Sequence, residues 1–259
     1  MSRPSHLSLF SRLSLLVISL MSSSVISLSS CRRPPPDLSS PEVLLGHTDR
    51  HLTEASPRLL PEVSDALQRM AQDAKRSGFK LKVVSGYRSY SSQRSIWNRK
   101  YQRYTDEGLS PSEVIARITM YSTIPGTSRH HWGTEIDLID ETPHVEGDVL
   151  LAEHFHDGGP YEALRVWLEQ NAARYGFHRA YTAHPERGGF SYEPWHYSYA
   201  PRAREMYQAY LQLDLTALLT GDGSLLGSAH LNREALDIYR EVHIKGINPT
   251  LGSRPEDVE

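Results

Sequence analysis

The sequence predicts an α+β protein in which a few short strands are scattered among helices of unequal length. Its 259 residues include 39% apolar side chains, which is ordinary for a chain that buries a sizeable core. The candidate strands are short, and they do not alternate regularly with the candidate helices. A regular βαβ series with a parallel sheet is therefore not expected.

Each element follows from a local pattern. A helix begins near Pro61 and ends at Gly78, because apolar residues recur between them at helical spacing. The LKVV segment that follows is too short for anything but a strand. The remaining predicted elements are helices at about 91–104, from the capping box at 110–113 toward 120, at 160–175, 201–219 and 232–243, and strands at 135–139 and 193–199. The last two helices flank a Gly-rich turn at 221–224.

Charge and cysteine content exclude several classes of protein. A net charge of -3 provides no basic surface for a phosphate backbone, so we expect no nucleic-acid partner. A single cysteine excludes an internal disulfide framework and a cysteine-based zinc finger or iron–sulfur site. Any metal must be held by histidines and carboxylates.

The N-terminus has the pattern of an export signal. Arg3 and Arg12 precede a charge-free apolar run that ends at Leu28-Ser29-Ser30-Cys31, which resembles the lipobox of bacterial lipoproteins. Residues 1–30 are therefore predicted to be a signal peptide, and Cys31 the site of lipidation. An uncleaved anchor or a plain secretory signal is the alternative. We expect an exported lipoprotein of the cell envelope, on the periplasmic face of the outer membrane if the host is Gram-negative.

The rest of the chain divides into three predicted parts. The Pro-rich composition after Cys31 predicts a tether over residues 31–60. A folded domain is predicted at 61–200, with a C-terminal helical extension at 201–259. The sequence does not predict an oligomeric state.

Three short motifs carry the candidate chemistry. They are Ser128-Arg129-His130-His131-Trp132-Gly133-Thr134-Glu135-Ile136-Asp137, Glu193-Pro194-Trp195-His196, and Ser85-Gly86-Tyr87-Arg88-Ser89 with Gln93 beyond it. Two imidazoles and one carboxylate would leave a tetrahedral zinc ion one position for water, as in a catalytic site. The set His130, Asp137 and His196 fits that count.

These three motifs, in this order, resemble the VanY-type zinc D-alanyl-D-alanine carboxypeptidases, which share a fold with the Hedgehog signalling domain. The resemblance covers about residues 61–200 and implies a small central antiparallel sheet flanked by helices. It also implies peptidoglycan stem peptides as substrates, cut at the terminal D-alanine. The implied roles are Zn²⁺ binding by His130, Asp137 and His196, general-base catalysis by Glu193, stabilisation of the carbonyl oxygen by Arg88, and substrate binding by Ser128 and Gln93.

Other interpretations of these motifs remain open at this point. Two histidines and a carboxylate also hold Fe(II) in oxygenases, although too few strands are predicted for their barrels. A non-catalytic zinc-containing wall-binding lipoprotein, a D-Ala-D-Ala dipeptidase and a peptidoglycan endopeptidase are further alternatives. The motifs do not separate D,D- from L,D-specificity. Glu135 stands where the family usually has a small residue, and we expect it on the outer surface.

Several neighbouring residues have structural interpretations. His131 is expected to face away from His130, either supporting the site or on the surface. His154 and His156 are expected in a solvated loop rather than as spare ligands. The aromatic residues Trp195, Tyr197 and Tyr199 are expected in the core and the cleft wall.

Overall fold

A four-stranded antiparallel sheet organises the protein, in a computed structural model that describes residues 35–184, 187–219 and 223–252. The strands are β1 (Leu81–Ser85), β2 (Glu135–Asp140), β3 (Phe177–Arg179) and β4 (His196–Tyr199). Their spatial order is β1-β2-β4-β3, and every neighbouring pair is antiparallel. The predicted α+β class with a small antiparallel sheet is confirmed.

Helices surround this sheet. In chain order they are α1 (Pro41–Leu44), α2 (Pro61–Arg76), α3 (Tyr90–Asp106), α4 (Pro111–Thr119), α5 (Glu162–Asn171), α6 (Ala200–Leu211), α7 (Leu215–Leu219), α8 (Arg233–Tyr239) and α9 (Pro249–Gly252). The predicted capping box opens α4, where the Ser110 backbone N–H donates to the Glu113 carboxylate at 2.9 Å. A single-turn 3-10 helix, Arg129–Trp132, precedes β2.

One hydrophobic core joins the sheet to helices from both ends of the chain. Met70 of α2, Trp97 of α3 and Leu138 of β2 are fully buried in it. Leu219 and Leu236, from the C-terminal helices, belong to the same cluster. The C-terminal extension is therefore integrated into the core of the domain, and the described residues from 35 to 252 form a single compact unit.

The predicted tether is too long. Val43 and Leu44 of α1 are fully buried, and the Leu44 carbonyl accepts a 3.1 Å hydrogen bond from the Trp132 indole. Farther on, the Leu60 backbone N–H donates to the Gly133 carbonyl at 3.0 Å. Proline enrichment ends at residue 36, and the apolar residues beyond it have a core to fill. Residues 41–60 are thus part of the folded unit.

Other element boundaries differ from the prediction in smaller ways. The helix predicted at 201–219 is two helices, α6 and α7, with a break at 212–214. The helix predicted at 160–175 begins at Glu162, and its last turn is 3-10 in form before Gly176, which has φ 85°. β3 was not predicted, since three residues give too little pattern to detect.

Some predictions concern residues outside the described ranges. The signal peptide, the lipobox and Cys31 all fall within residues 1–34, and the Gly-rich turn at 221–224 is described only in part. In the part of the chain that is described, no helix combines the length and apolar character needed to cross a membrane.

Candidate metal centre and its cleft

Strand pairing brings the candidate ligands together. β2 and β4 pair in a register that places Asp137 directly opposite His196. His130 lies on the 3-10 turn before β2, and Gly133 reverses the chain between them with φ 75°. A side chain at Gly133 would also place its Cβ 2.3 Å from Leu52. Glycine is therefore required for the turn that returns His130 to the strand.

The three side chains form a buried cluster in which one ligand atom from each lies within 4.8 Å of the others. His130 Nε2 is 3.4 Å from one Asp137 oxygen, and His196 Nδ1 is 3.6 Å from the other. Ligand atoms around a tetrahedral zinc ion lie roughly 3.3 Å apart, given bond lengths of about 2.0–2.1 Å. In the described structure, Asp137 Oδ1 is buried without a hydrogen-bond partner. A bound cation would satisfy it, so this donor set fits zinc.

Hydrogen bonds at the far side of each ring determine which nitrogen can face a metal. His130 Nδ1 donates to the Gly86 carbonyl at 2.7 Å, and His196 Nε2 donates to Glu135 Oε2 at 3.0 Å. The other two nitrogens, His130 Nε2 and His196 Nδ1, both face Asp137. Metal-binding histidines commonly use a carbonyl or carboxylate in this way to fix ring orientation.

Burial and nearby charge shift the protonation equilibria of the cluster. Burial raises the pKa of Asp137 to about 6 and lowers the pKa of His130 well below its usual value. For His196, burial opposes the charged form, but hydrogen bonds to Glu135 and Glu193 outweigh it and raise the pKa to about 10. A cation at the cluster must therefore compete with protons for two of the three side chains.

Glu193 lies beside the cluster without belonging to it. It occupies the loop before β4, and its Oε2 is 2.9 Å from His196 Nδ1. Its side chain is 16% exposed and lines the same cleft as the cluster. A carboxylate in this position can reach a water molecule bound to a metal ion at the cluster and exchange protons with that water.

Arg88 is held in the cleft wall from three sides. Its guanidinium donates to Gln93 Oε1 at 2.9 Å and to Ser85 Oγ at 3.0 Å, and its backbone N–H donates to the His130 carbonyl. Burial lowers the pKa of this guanidinium. Among the described residues, no carboxylate lies within ion-pair distance of it. Arg88 therefore presents a fixed positive charge to the cleft without a direct ion pair.

The expected role of Gln93 in binding substrate is not supported. Gln93 is 1% exposed and does not line the cleft, since it accepts from Arg88 and donates to the Thr123 carbonyl at 2.8 Å. Its amide oxygen and amide nitrogen thus connect Arg88 to the neighbouring loop. Ser128, in contrast, does line the cleft, although it is nearly buried.

The cleft has a volume of about 740 Å³, and besides Arg88 and the ion-paired Arg129 it is lined by a cation that the sequence reasoning missed. Lys100 lines it and hydrogen-bonds to Ser122 Oγ at 2.6 Å, and in the described structure no carboxylate oxygen lies within 4.0 Å of its ammonium group. Gln93, Trp97 and Lys100 share one face of α3, so helical spacing from the buried Trp97 was the available signal.

The expectation that Glu135 is a surface residue is wrong. Its side chain is 0% exposed, because β2 is buried on both faces and offers no outward position. Glu135 pairs with Ser198 across β2 and β4, two residues from the Asp137–His196 pair. Burial favours the neutral acid, but the charge of Arg129 and the hydrogen bonds from His196 and Ser198 lower the pKa of Glu135 to about 2.

Three further histidines, His131, His154 and His156, form hydrogen bonds in the structure around the site. His131 is fully buried, where it donates to the Arg88 carbonyl at 2.6 Å and accepts from the Gly126 N–H at 3.1 Å. It therefore ties the Arg88 loop to its neighbour and is not a surface residue. His154 and His156 lie in or beside a short 3-10 turn and bond to the Asp148 carbonyl and the Tyr192 hydroxyl. As expected, Trp195 lines the cleft and Tyr197 is in the core.

A buried pair of histidines and a carboxylate, with a second carboxylate and a fixed arginine in one cleft, is the arrangement typical of a metal-dependent hydrolase. The family model described as VanY, D-alanyl-D-alanine carboxypeptidase, matches residues 56–202, more than half of the chain. The chain belongs to this family.

Two curated relatives match a similar stretch. A D-alanyl-D-alanine carboxypeptidase of Enterococcus faecalis is 32% identical over 138 residues, covering 53% of this chain and 46% of that protein. The putative carboxypeptidase YodJ of Bacillus subtilis is 32% identical over 139 residues, covering 53% of this chain and 45% of that protein. The matches thus span less than half of the length of either relative.

Solved structures with similarity to this chain include VanYB in complex with D-alanine-D-alanine. It is 27% identical, with a TM-score of 0.47, and the match covers 66% of this chain and 88% of that one. A vancomycin-resistance D,D-pentapeptidase VanY in complex with Zn(II) is 28% identical, with a TM-score of 0.46, covering 57% of this chain and 77% of that one.

Proposed function

We propose that this protein is a zinc-dependent peptidase that removes the terminal D-alanine from peptidoglycan stem peptides, with D,D- or L,D-specificity. The observation that carries the proposal is the convergence of His130, Asp137 and His196 with Glu193 and Arg88 in one cleft. Membership of the VanY family supports the substrate class.

The chain's own residues have distinct roles in this hydrolysis. When bound, Zn²⁺ would supply a water molecule whose pKa is lowered to about 7 and polarise the scissile carbonyl. The Glu193 carboxylate takes a proton from the attacking water and transfers it to the leaving amine as the peptide bond breaks. Arg88, fixed by Gln93 and Ser85, stabilises the negative charge that develops on the carbonyl oxygen.

Two cations in the cleft wall suit a substrate with a free C-terminal carboxylate, although Asp148, Glu153 and Glu193 also line the cleft. Arg88 and Lys100 both line it, and in the described structure neither has a carboxylate at ion-pair distance. A carboxypeptidase substrate brings its own anion next to the scissile bond, whereas an internal peptide bond does not. This asymmetry supports a carboxypeptidase over an endopeptidase.

Purified wall peptides provide the test. The protein with Zn²⁺ is incubated with a stem tetrapeptide, a stem pentapeptide and the pentapeptide amidated at its C-terminus, and products are weighed by mass spectrometry. Loss of one D-alanine from either free acid, with much slower cleavage of the amide, is the expected result. Equal cleavage of acid and amide contradicts the carboxypeptidase assignment. Zinc binding without hydrolysis of any peptide favours a wall-binding protein.

We further propose that the protein is exported and attached to the cell envelope through a lipid on Cys31. The charge-free run before the single cysteine supports this. A tethered enzyme would meet its polymeric substrate at a raised effective concentration. Replacement Cys31→Ala should abolish acylation and processing at this site while the domain still folds. An unmodified Cys31, with the mature chain starting elsewhere, contradicts the anchor.

A further inference from the structure

Glu135 lies at the centre of a buried hydrogen-bond network directly behind the candidate metal ligand His196. Its Oε2 accepts from His196 Nε2 at 3.0 Å. Its Oε1 accepts from Ser198 Oγ at 2.6 Å, from Thr134 Oγ1 at 2.9 Å and from Arg129 Nη2 at 3.2 Å. One carboxylate oxygen thus serves His196 alone, and the other receives three donors.

The network is buried, and in the described structure Nε and Nη1 of Arg129 have no hydrogen-bond partner in it. Arg129, which is 5% exposed, also donates to Ser198 Oγ at 2.8 Å and stacks over the Trp132 ring, with its Cζ 4.6 Å from the ring centroid. The charges of Arg129 and Glu135 compensate each other in the interior. Because each donor restrains the same carboxylate, Glu135 cannot rotate away from His196 without breaking several hydrogen bonds.

We propose that Glu135 is a positioning residue for the metal centre, holding the His196 ring by its Nε2–H so that Nδ1 is presented beside Asp137. This inference rests on the proposed zinc site. A carboxylate behind a ligand histidine fixes the ring and makes it a stronger donor to the metal.

Replacing the carboxylate by an amide of the same size tests this role. In E135Q, the amide oxygen can accept either the three donors at the Oε1 position or the His196 Nε2–H, but not both. The amide NH₂ group faces the His196 Nε2–H in one orientation and the Arg129 guanidinium in the other. We expect zinc affinity, measured on the metal-free protein by competition with a chromophoric chelator, to fall by about 10–100-fold. The visible spectrum of the Co²⁺-substituted protein should change as well.

A matched control comes from the same strand. D140N makes the same change from carboxylate to amide at a nearly buried residue whose Oδ1 accepts only from the backbone N–H groups of Lys80 and Thr142. An amide oxygen can keep both bonds, so this variant should bind zinc like the parent. If E135Q does not fold, the double variant R129M/E135L removes the charge pair together and should show the same loss of zinc affinity.

The outcomes separate this inference from the proposed function. Parental zinc affinity and an unchanged Co²⁺ spectrum in folded E135Q, or in folded R129M/E135L, would overturn the role of Glu135. An equal loss in D140N would do the same, because the effect would not be specific. A parent protein that binds no zinc would instead refute the proposed function itself.

Discussion

Glu193 provides the sharpest test of the proposed chemistry, through the substitution Glu193→Gln. The amide keeps nearly the same size but cannot take a proton from water. General-base catalysis contributes about 10²–10⁴-fold, so kcat should fall by roughly that factor, corresponding to an activation barrier higher by about 3–5 kcal/mol.

The structure indicates that this loss should appear in kcat and not in metal content. Glu193 lies 2.9 Å from His196 Nδ1 but outside the cluster formed by His130, Asp137 and His196. Those three side chains are unchanged in the variant, so one zinc ion per chain should remain bound, and KM should change little.

The assay combines hydrolysis of the stem pentapeptide, at several concentrations, with zinc analysis of the same samples. Glu193→Asp, which retains a carboxylate but shortens its reach, is the matched comparison and should retain more activity than the amide variant. A parental rate in Glu193→Gln would refute the general-base role. Loss of zinc in this variant would instead identify Glu193 as a ligand.

Three further predictions follow from the site and its surroundings. Arg88→Lys should retain zinc but lower kcat by roughly 10²-fold, because an ammonium group cannot bond to both Gln93 and Ser85 and still face the substrate carbonyl. An unchanged kcat would show that Arg88 has only a structural role. As pH is lowered from 8 to 6, zinc affinity should fall about tenfold per pH unit, because binding displaces one proton from His196. Below pH 6 it should fall more steeply, because Asp137 is protonated as well. Chelator competition from pH 5 to 8 measures this, and a flat profile contradicts it. Without metal, the free energy of unfolding should fall by roughly 2–3 kcal/mol per pH unit as pH is lowered from about 6 to 4. Urea unfolding in the presence of a chelator measures this. Three buried histidines have lowered pKa values in the folded state and lose their stabilising contribution as pH falls: His51, His130 and His131. Asp137, whose folded-state pKa is raised, offsets one of them, and constant stability over this range would contradict the burial of neutral histidines.

The sequence predicted the residues of the site better than the residues that hold them in position. His130, Asp137, His196 and Glu193 stand in short motifs whose residue types suggest a metal site, and the structure brings them together. Glu135 shows the limit of this reasoning. Whether a strand residue faces outward depends on whether one face or both are covered, and that is a property of the packing around β2.

Gln93 and the N-terminal segment show the same dependence on tertiary structure. A glutamine on α3 can face the cleft or the arginine beside it, and only the path of the neighbouring loop, with its acceptor at Thr123, decides between them. The apolar residues of the segment at 41–60 are clustered mainly at its two ends and give no periodic pattern, yet the segment is fixed by contacts with Trp132 and Gly133, far along the chain. Composition alone therefore placed the start of the domain too late.

The pairing of β2 with β4 has a consequence for how the molecule is assembled. His130 and Asp137 are near neighbours in sequence, but His196 joins them only when the two strands come together in the register that opposes Asp137 to His196. A slip of one residue would turn one ligand to the opposite face of the sheet. A metal ion held by all three acts as a noncovalent cross-link between distant segments, and at 1,000 times its Kd it would stabilise the native state by about 4 kcal/mol. Metal binding and the pairing of β2 with β4 are therefore thermodynamically coupled, and a metal ion bound by all three side chains would favour the native register.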